Sequence, residues 1–254
     1  MKTRYLRYSL FIIVLGLVTY VALGYGDRPF ENYCPFGGME SLWGLFTAGE
    51  FSCALGPLNL SLLLALFGLT LLSKKSFCGW ACPIGFLGEL CGRAGKKVAK
   101  EKIRPSGRLD GILKLLRYVV LIVFLILTYR AGELILRGYD PFYLIFSGFG
   151  HGTLGLVSYI VLGVLVVGAL IIPMFFCRYF CPLGAVFDPF SRLGVIKISR
   201  NEASCNNCGD CQKACPHNIP VQTLRLVRHR DCTNCFECLD ACPEGNTLNI
   251  QAKW

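Results

Sequence analysis

Long apolar runs at 9–25, 54–72, 111–129 and 153–176 alternate with polar segments along most of the chain. Each is close to the length of about 20 residues that crosses ~30 Å of hydrocarbon as a helix, so the pattern predicts four membrane-spanning helices. The third run carries Lys114 and Arg117 in its first turns, where long basic side chains snorkel back to a headgroup layer. Basic residues crowd before the first run (Lys2, Arg4, Arg7), after the second (Lys74, Lys75, Lys96, Lys97) and after the fourth (Arg192, Lys197), while 27–51 and 131–152 are poor in them. By the positive-inside rule the basic segments face the cytoplasm. That places the N-terminus and the C-terminal region there, in a multi-pass protein of a bacterial-type cytoplasmic (inner) membrane. No small-residue cleavage motif follows the first run, which reads as a retained span.

Composition agrees with that pattern. Of 254 residues 54% are hydrophobic and only 17% charged, and the mean hydropathy is +0.51. A net charge of +10 would suit nucleic acid, but the basic residues border apolar runs instead of forming a stripe, so no nucleic-acid role is expected. Membrane lipid is the expected surrounding. Fifteen cysteines in such a chain read as redox or metal ligands kept reduced, not as oxidised staples.

The halves of the apolar region match one another. Phe77-Cys78-x3-Cys82-Pro83-x-Gly85 aligns without gaps on Phe176-Cys177-x3-Cys181-Pro182-x-Gly184, and the register continues until Glu89 falls on Asp188. Upstream, Tyr33-Cys34-Pro35-Phe36 matches Tyr139-Asp140-Pro141-Phe142. The expected fold class is therefore mainly α: a four-helix transmembrane unit built from two parallel two-span repeats, followed by a small C-terminal two-cluster ferredoxin domain. The expected boundary separates 1–192 from 193–254. Symmetry of this kind brings like features together, so the two C-x3-C-P turns are expected to meet. Cysteines four apart share one face of a helical turn. Cys78, Cys82, Cys177 and Cys181 then form a shared redox or metal site, four soft ligands suited to an iron–sulfur cluster or to zinc; buried free thiols are the plain alternative.

The C-terminal region carries the most specific signal. Cys205, Cys208, Cys211 and Cys215-Pro216 follow the spacing C-x2-C-x2-C-x3-C-P, and Cys232, Cys235, Cys238 and Cys242-Pro243 repeat it. In that spacing three close thiolates hold one [4Fe–4S] cluster and the fourth crosses to its neighbour. Cluster one is thus assigned Cys205, Cys208, Cys211 and Cys242, and cluster two Cys232, Cys235, Cys238 and Cys215. Zinc explains neither the doubling nor the prolines, and a disulfide framework belongs to small secreted domains.

Weaker candidates lie in the segments between runs. Asp140, Cys34, Cys53 and His151 sit where a carboxylate, thiol or imidazole takes the protons a quinol loses on oxidation, or where Cys34 and Cys53 act as a dithiol; turn initiation is the alternative for the two X-Pro pairs. Cys91 has no counterpart in the second half and reads as structural, and His217 and His229 read as surface residues. No c-type haem motif and no Gly-rich nucleotide motif stands out.

Four runs, two C-x3-C-P turns and the doubled cluster pattern together resemble the NapH/NosR/CcoG-type membrane iron–sulfur (polyferredoxin) family, in layout most of all the NapH-type quinol dehydrogenase subunit. The resemblance implies that the eight ferredoxin cysteines are cluster ligands and that Cys78, Cys82, Cys177 and Cys181 are redox-active. It also implies an oxidoreductase subunit that passes electrons between quinone or quinol and other redox subunits: an iron–sulfur protein, a cytochrome or a reductase. A metal (copper) reductase or cofactor-assembly factor, and a transmembrane thiol reductant acting through Cys34 and Cys53, are the rival readings.

Overall fold

The computed structural model describes residues 3–21, 23, 38, 42, 44–46, 56–99, 107–131, 141, 144, 145 and 156–252. Among these the chain is mainly helical and ends in a ferredoxin-type region. The helices are α1 (Thr3–Tyr20), α2 (Gly56–Ser73), α3 (Ser76–Trp80), α4 (Pro83–Ala99), α5 (Gly107–Leu113), α6 (Leu116–Ala131), α7 (Leu156–Ile171), α8 (Phe175–Tyr179) and α9 (Pro182–Ser191). Strand β1 (Ile196–Arg200), the short helices α10 (Asp210–Ala214) and α11 (Glu237–Asp240), and strand β2 (Leu248–Ala252) follow. The two strands pair antiparallel, Ile196 opposite Ala252 and Arg200 opposite Leu248.

The expected four-span transmembrane unit is corrected by these helices. Among the described residues, no helix is long and apolar enough to cross a membrane. The reason lies in where each helix starts and stops. Helix α1 begins before its apolar run, spends its early turns on Arg4 and Arg7, and ends at Tyr20. The run at 111–129 is split, because Lys114 closes α5 by bonding Asp110 while the Leu115 N–H turns to Ile112 at 2.9 Å; α6 keeps 16 residues. Helix α7 also has 16 residues and stops ahead of Pro173, which lacks an N–H and disfavours helix in the residue before it.

Each C-x3-C-P stretch is a corner between helices. The N–H groups of Ala81 and Cys82 both bond the Phe77 carbonyl at 2.9 Å, and those of Phe180 and Cys181 bond Phe176 in the same way. The proline then opens the next helix, where its missing N–H costs nothing, and the cysteine carbonyl accepts the first helical bond, Cys82 from Phe86 at 3.0 Å and Cys181 from Ala185 at 3.2 Å. The two cysteines of a pair thus do not lie on one continuous helical face, as their spacing suggested. Gly85 is needed at the first corner, since a Cβ there would come within 2.3 Å of the Cys78 carbonyl oxygen.

The helices leaving the corners cross over. Helix α4 packs against α7 of the other half, and α9 against α2 of the other half and α6 of its own. Contact between α4 and the end of α7 is backbone-close, because a Cβ on Gly95 would lie 1.8 Å from the Leu170 carbonyl oxygen and one on Gly92 2.8 Å from Pro173. On the other side Leu63 of α2 packs with Leu183 and Phe187 of α9.

A layer of buried charge joins the helical part to the ferredoxin region. Arg7 of α1 pairs with Glu89 of α4 and reaches Glu237 of α11 at 3.1 Å. Arg117 of α6 matches it, pairing with Asp188 of α9 and reaching Asp231 at 3.0 Å. Lys114 adds bonds to Asp110 at 2.7 Å and Asp231 at 2.8 Å. Lys114 is 6% and Arg117 1% exposed, so the snorkelling expected of them is replaced by ion pairing across this layer.

Two outcomes follow from this packing. Gly95→Val overpacks the α4–α7 contact and lowers stability by about 1–3 kcal/mol, read as a fall in the thermal midpoint, whereas Gly163→Ala, with open space around its Cβ position, raises it slightly. Arg7 and Arg93 share the carboxylates of Glu89 and Glu237, but the Arg7 side chain is 0% and the Arg93 side chain 38% exposed. Arg7→Met is expected to cost about 3–5 kcal/mol and Arg93→Met no more than about 1 kcal/mol, compared by urea unfolding; equal losses would rule out a junction held by its buried arginine.

Candidate functional site: two thiol sets and a four-cysteine cavity

The two ferredoxin runs fold alike. Asn207 and Gly209 in the first run, and Asn234 and Phe236 at the same offsets in the second, all have positive φ (56°, 77°, 45° and 58°). Left-handed residues flanking the second cysteine curl the loop so that successive backbone N–H groups line a concavity of the kind that takes anionic iron–sulfur groups. Asn207 and Asn234 accept from the first thiol of each run, Cys205 at 3.6 Å and Cys232 at 3.5 Å. Asparagine tolerates this backbone and keeps the turn local.

The thiols sort into two neighbourhoods. Cys211 has Cys242, Cys208 and Cys205 as its thiol neighbours. Cys215 has Cys235 and Cys232, and Cys238 stands beside Cys235, Cys215 and Cys232, with Cys211 of the first set next in order. The second set encloses a small cavity with Ile198, Ile219 and Val227 in its wall. Burial raises the Cys215 thiol to about 12 and the Cys235 thiol to about 11, and it raises Cys238 too. Thiols held this way stay protonated until bound metal deprotonates them. Cys208 of the first set is exposed, while Cys232 and Cys238 are buried. Cys205 is lowered by the Asn207 backbone and the Arg200 side chain. Four thiols per set with anion-cradling loops fit a [4Fe–4S] cluster.

Cys78, Cys82, Cys177 and Cys181 meet around a cavity of about 200 Å³ whose wall is mostly apolar, with Val14, Val18, Phe77, Phe176 and Leu183 among its residues. Burial raises the Cys78 and Cys177 thiols, the neighbouring cysteines raise them further, and Lys75 opposes the shift. At the second corner Cys181 accepts the Gly184 N–H at 3.4 Å. Among the described residues, no three His, Cys, Asp or Glu side chains close on a single-ion site; a cubane keeps its thiolates farther apart than one ion does, so ligands to a cluster need not converge on a point.

His217 is not at the surface. It is 6% exposed, and burial lowers its pKa to about 3, which leaves a neutral ring whose nitrogens have no hydrogen-bond partner among the described residues. It lines the four-cysteine cavity and the cavity of the second thiol set, as do Asp231 and Thr233. Only the motif's position beside Pro216 hinted at this residue; its burial depends on the docking of the two parts. His229 is held near Asp231, 3.7 Å away. Cys91 is half-buried and lies in neither ferredoxin thiol set; it lines a second cavity between α4 and α7 with Leu162 and Val166, whose wall also includes Cys177. Cys34, Cys53, Asp140 and His151 lie outside the described residues.

Comparison with known proteins agrees with the cysteine geometry. A 4Fe-4S binding domain family matches twice, at 55–101 and 154–201, each match containing one C-x3-C-P corner. A 4Fe-4S dicluster domain family matches 197–243. The protein YccM of Escherichia coli K12 is 34% identical over 78% of this chain and 57% of its own length. The ferredoxin-type protein NapH of the same organism is 28% identical over 63% of this chain and 52% of its own length, and the methylamine utilization ferredoxin-type protein MauN of Methylobacillus flagellatus is 30% identical over 61% and 54%. The chain spans a little over half the length of these relatives. No solved structure matches it. Two thiol sets in a dicluster region, joined to a pair of C-x3-C-P corners that a 4Fe-4S binding domain family covers, make the chain similar to the ferredoxin-type iron–sulfur electron-transfer proteins of the NapH type.

Proposed function

We propose that the chain passes electrons between a quinone pool and a partner redox protein, as the quinol dehydrogenase-like subunit of a larger complex attached to a membrane. Cys205, Cys208, Cys211 and Cys242 hold one [4Fe–4S] cluster, Cys215, Cys232, Cys235 and Cys238 the second, and Cys78, Cys82, Cys177 and Cys181 a third iron–sulfur centre. When bound, such clusters supply one-electron couples. The observation that carries the reading is the shared wall. His217, Asp231 and Thr233 line both the second cluster's cavity and the four-cysteine cavity, so one layer of side chains separates two groups of redox ligands.

The remaining residues give this route an outside and an inside. Exposed Cys208 puts the first cluster within reach of a docking redox protein, and the excess of basic residues steers an acidic one. At the other end the apolar wall of the four-cysteine cavity excludes water. Support for membrane attachment and for a lipid-soluble quinone comes from the outward apolar side chains Ile12 and Leu17 of α1, Ile122 and Ile126 of α6, and Ile160 and Val164 of α7, all at least half exposed. A patch of that extent marks an interaction surface.

Iron and sulfide analysis with electron paramagnetic resonance tests the centre count. The wild type is expected to exceed the eight iron atoms of two four-iron clusters, and Cys78→Ser/Cys177→Ser to fall to that number; eight in both proteins would remove the third centre. In liposomes a quinol is expected to reduce the clusters, or the reduced clusters a quinone. Protein with full iron that exchanges electrons with neither would leave the quinone assignment without support.

A further inference from the structure

Lys74 is 0% exposed, and among the described residues no carboxylate pairs with it. Its Nζ donates to the Val227 carbonyl, and Val227 lines the cavity enclosed by Cys215, Cys232, Cys235 and Cys238, with Cys232 and Cys238 the groups that interact electrostatically with the lysine. A buried cation is costly unless an anion compensates it. Here the anions on offer are ligands of the second thiol set.

The neighbouring lysine goes elsewhere. Lys75 bonds the Gly184 carbonyl at 2.9 Å and pairs with Asp188, on the side of Cys78 and Cys177. The backbone separates the two ammonium groups. Lys74 has φ 59°, a left-handed conformation that bulky residues rarely adopt, and it presses on Gly194, where a Cβ would lie 2.6 Å from Lys74 Cγ. Both the turn at Lys74 and the missing side chain at Gly194 are needed to seat this lysine against Cys232.

We infer that Lys74 is the counter-ion of the iron–sulfur cluster held by Cys215, Cys232, Cys235 and Cys238, reaching it across the junction from the end of α2, and that it raises this cluster's reduction potential. The inference rests on the ligand assignment of that cluster. A fixed positive charge beside a cluster favours the more negative, reduced state, and the protein's levers on potential include net charge and hydrogen bonds to the sulfurs. The contact exists only while the ferredoxin region is docked, so cluster loading and docking reinforce each other.

Redox titration followed by electron paramagnetic resonance, with iron analysis of each protein, tests it. In Lys74→Met one of the two ferredoxin signals is expected to move to more negative potential while the other stays, and in Lys74→Arg, which keeps the charge, both stay near the wild type. Loss of four iron atoms from Lys74→Met alone also supports the counter-ion role; their loss from both variants overturns it, because the site then needs the shape of lysine and not its charge. Full iron with unchanged potentials in Lys74→Met overturns the inference alone, as does an equal shift of the same signal in Lys75→Met. A wild type with less iron than two four-iron clusters overturns the ligand assignment and the inference with it.

Discussion

Arg7, Arg117, Asp188, Asp231 and Glu237 are each no more than 3% exposed, and together they form the contact between the helical part and the ferredoxin region. Taking such charges out of water is unfavourable unless each finds a well-placed opposite. The chain meets that condition in a matched way. Arg7 on α1 binds Glu89 and Glu237, and Arg117 on α6 binds Asp188 and Asp231. One carboxylate of each trio lies on the helix that follows a C-x3-C-P corner, the other beside or within the second cysteine run. Each arginine therefore fixes a corner and a cluster loop at once, so the relative position of the thiol sets follows from the ion pairs.

That constraint explains why the corners face the ferredoxin region. At the first corner Trp80 donates to the Asn234 carbonyl at 2.9 Å, and Gly79 lets Thr233 approach, since a Cβ there would sit 2.9 Å from the Thr233 carbonyl oxygen. Asn234 in turn donates to the Ser73 and Ile196 carbonyls, both at 3.0 Å. The left-handed loop that shapes the second thiol set is thus also a structural plug in the helical part. Conformation, docking and thiol placement are one arrangement here, which is why a small ferredoxin region with a modest apolar core is held firmly.

The doubled C-x2-C-x2-C-x3-C-P pattern was readable in the sequence because its spacing is local: three thiols within seven residues leave few ways to arrange them. The meeting of Cys78, Cys82, Cys177 and Cys181 was readable too, from duplication alone. What escaped was anything that depends on which faces dock. Lys75, Lys114 and Arg117 look like charges flanking apolar runs, and only the folded chain shows Asp188 and Asp231 opposite them. The break between α5 and α6 carries no proline or glycine at Lys114 or Leu115, so hydropathy reads straight through it. His217 looked like a surface histidine because its burial requires the helical part on top of it.

Burial differs among these sites and is deepest at Cys232 and Cys238 of the second set. Cys208 is open to solvent, Cys232 and Cys238 are 6% exposed, and Cys78 and Cys177 are half-buried around a cavity walled by apolar residues of α1, the corners and α9. Charge compensation differs among them too. The first set has Arg200 near Cys205 with solvent to share the load, the second has Lys74, with no carboxylate on it among the described residues, and the third has Lys75, already paired with Asp188. Less solvent screening makes each nearby charge count for more, so the unneutralised Lys74 acts where it has most leverage. A cation of that kind beside the middle site stabilises the electron there relative to its neighbours, whichever way electrons enter.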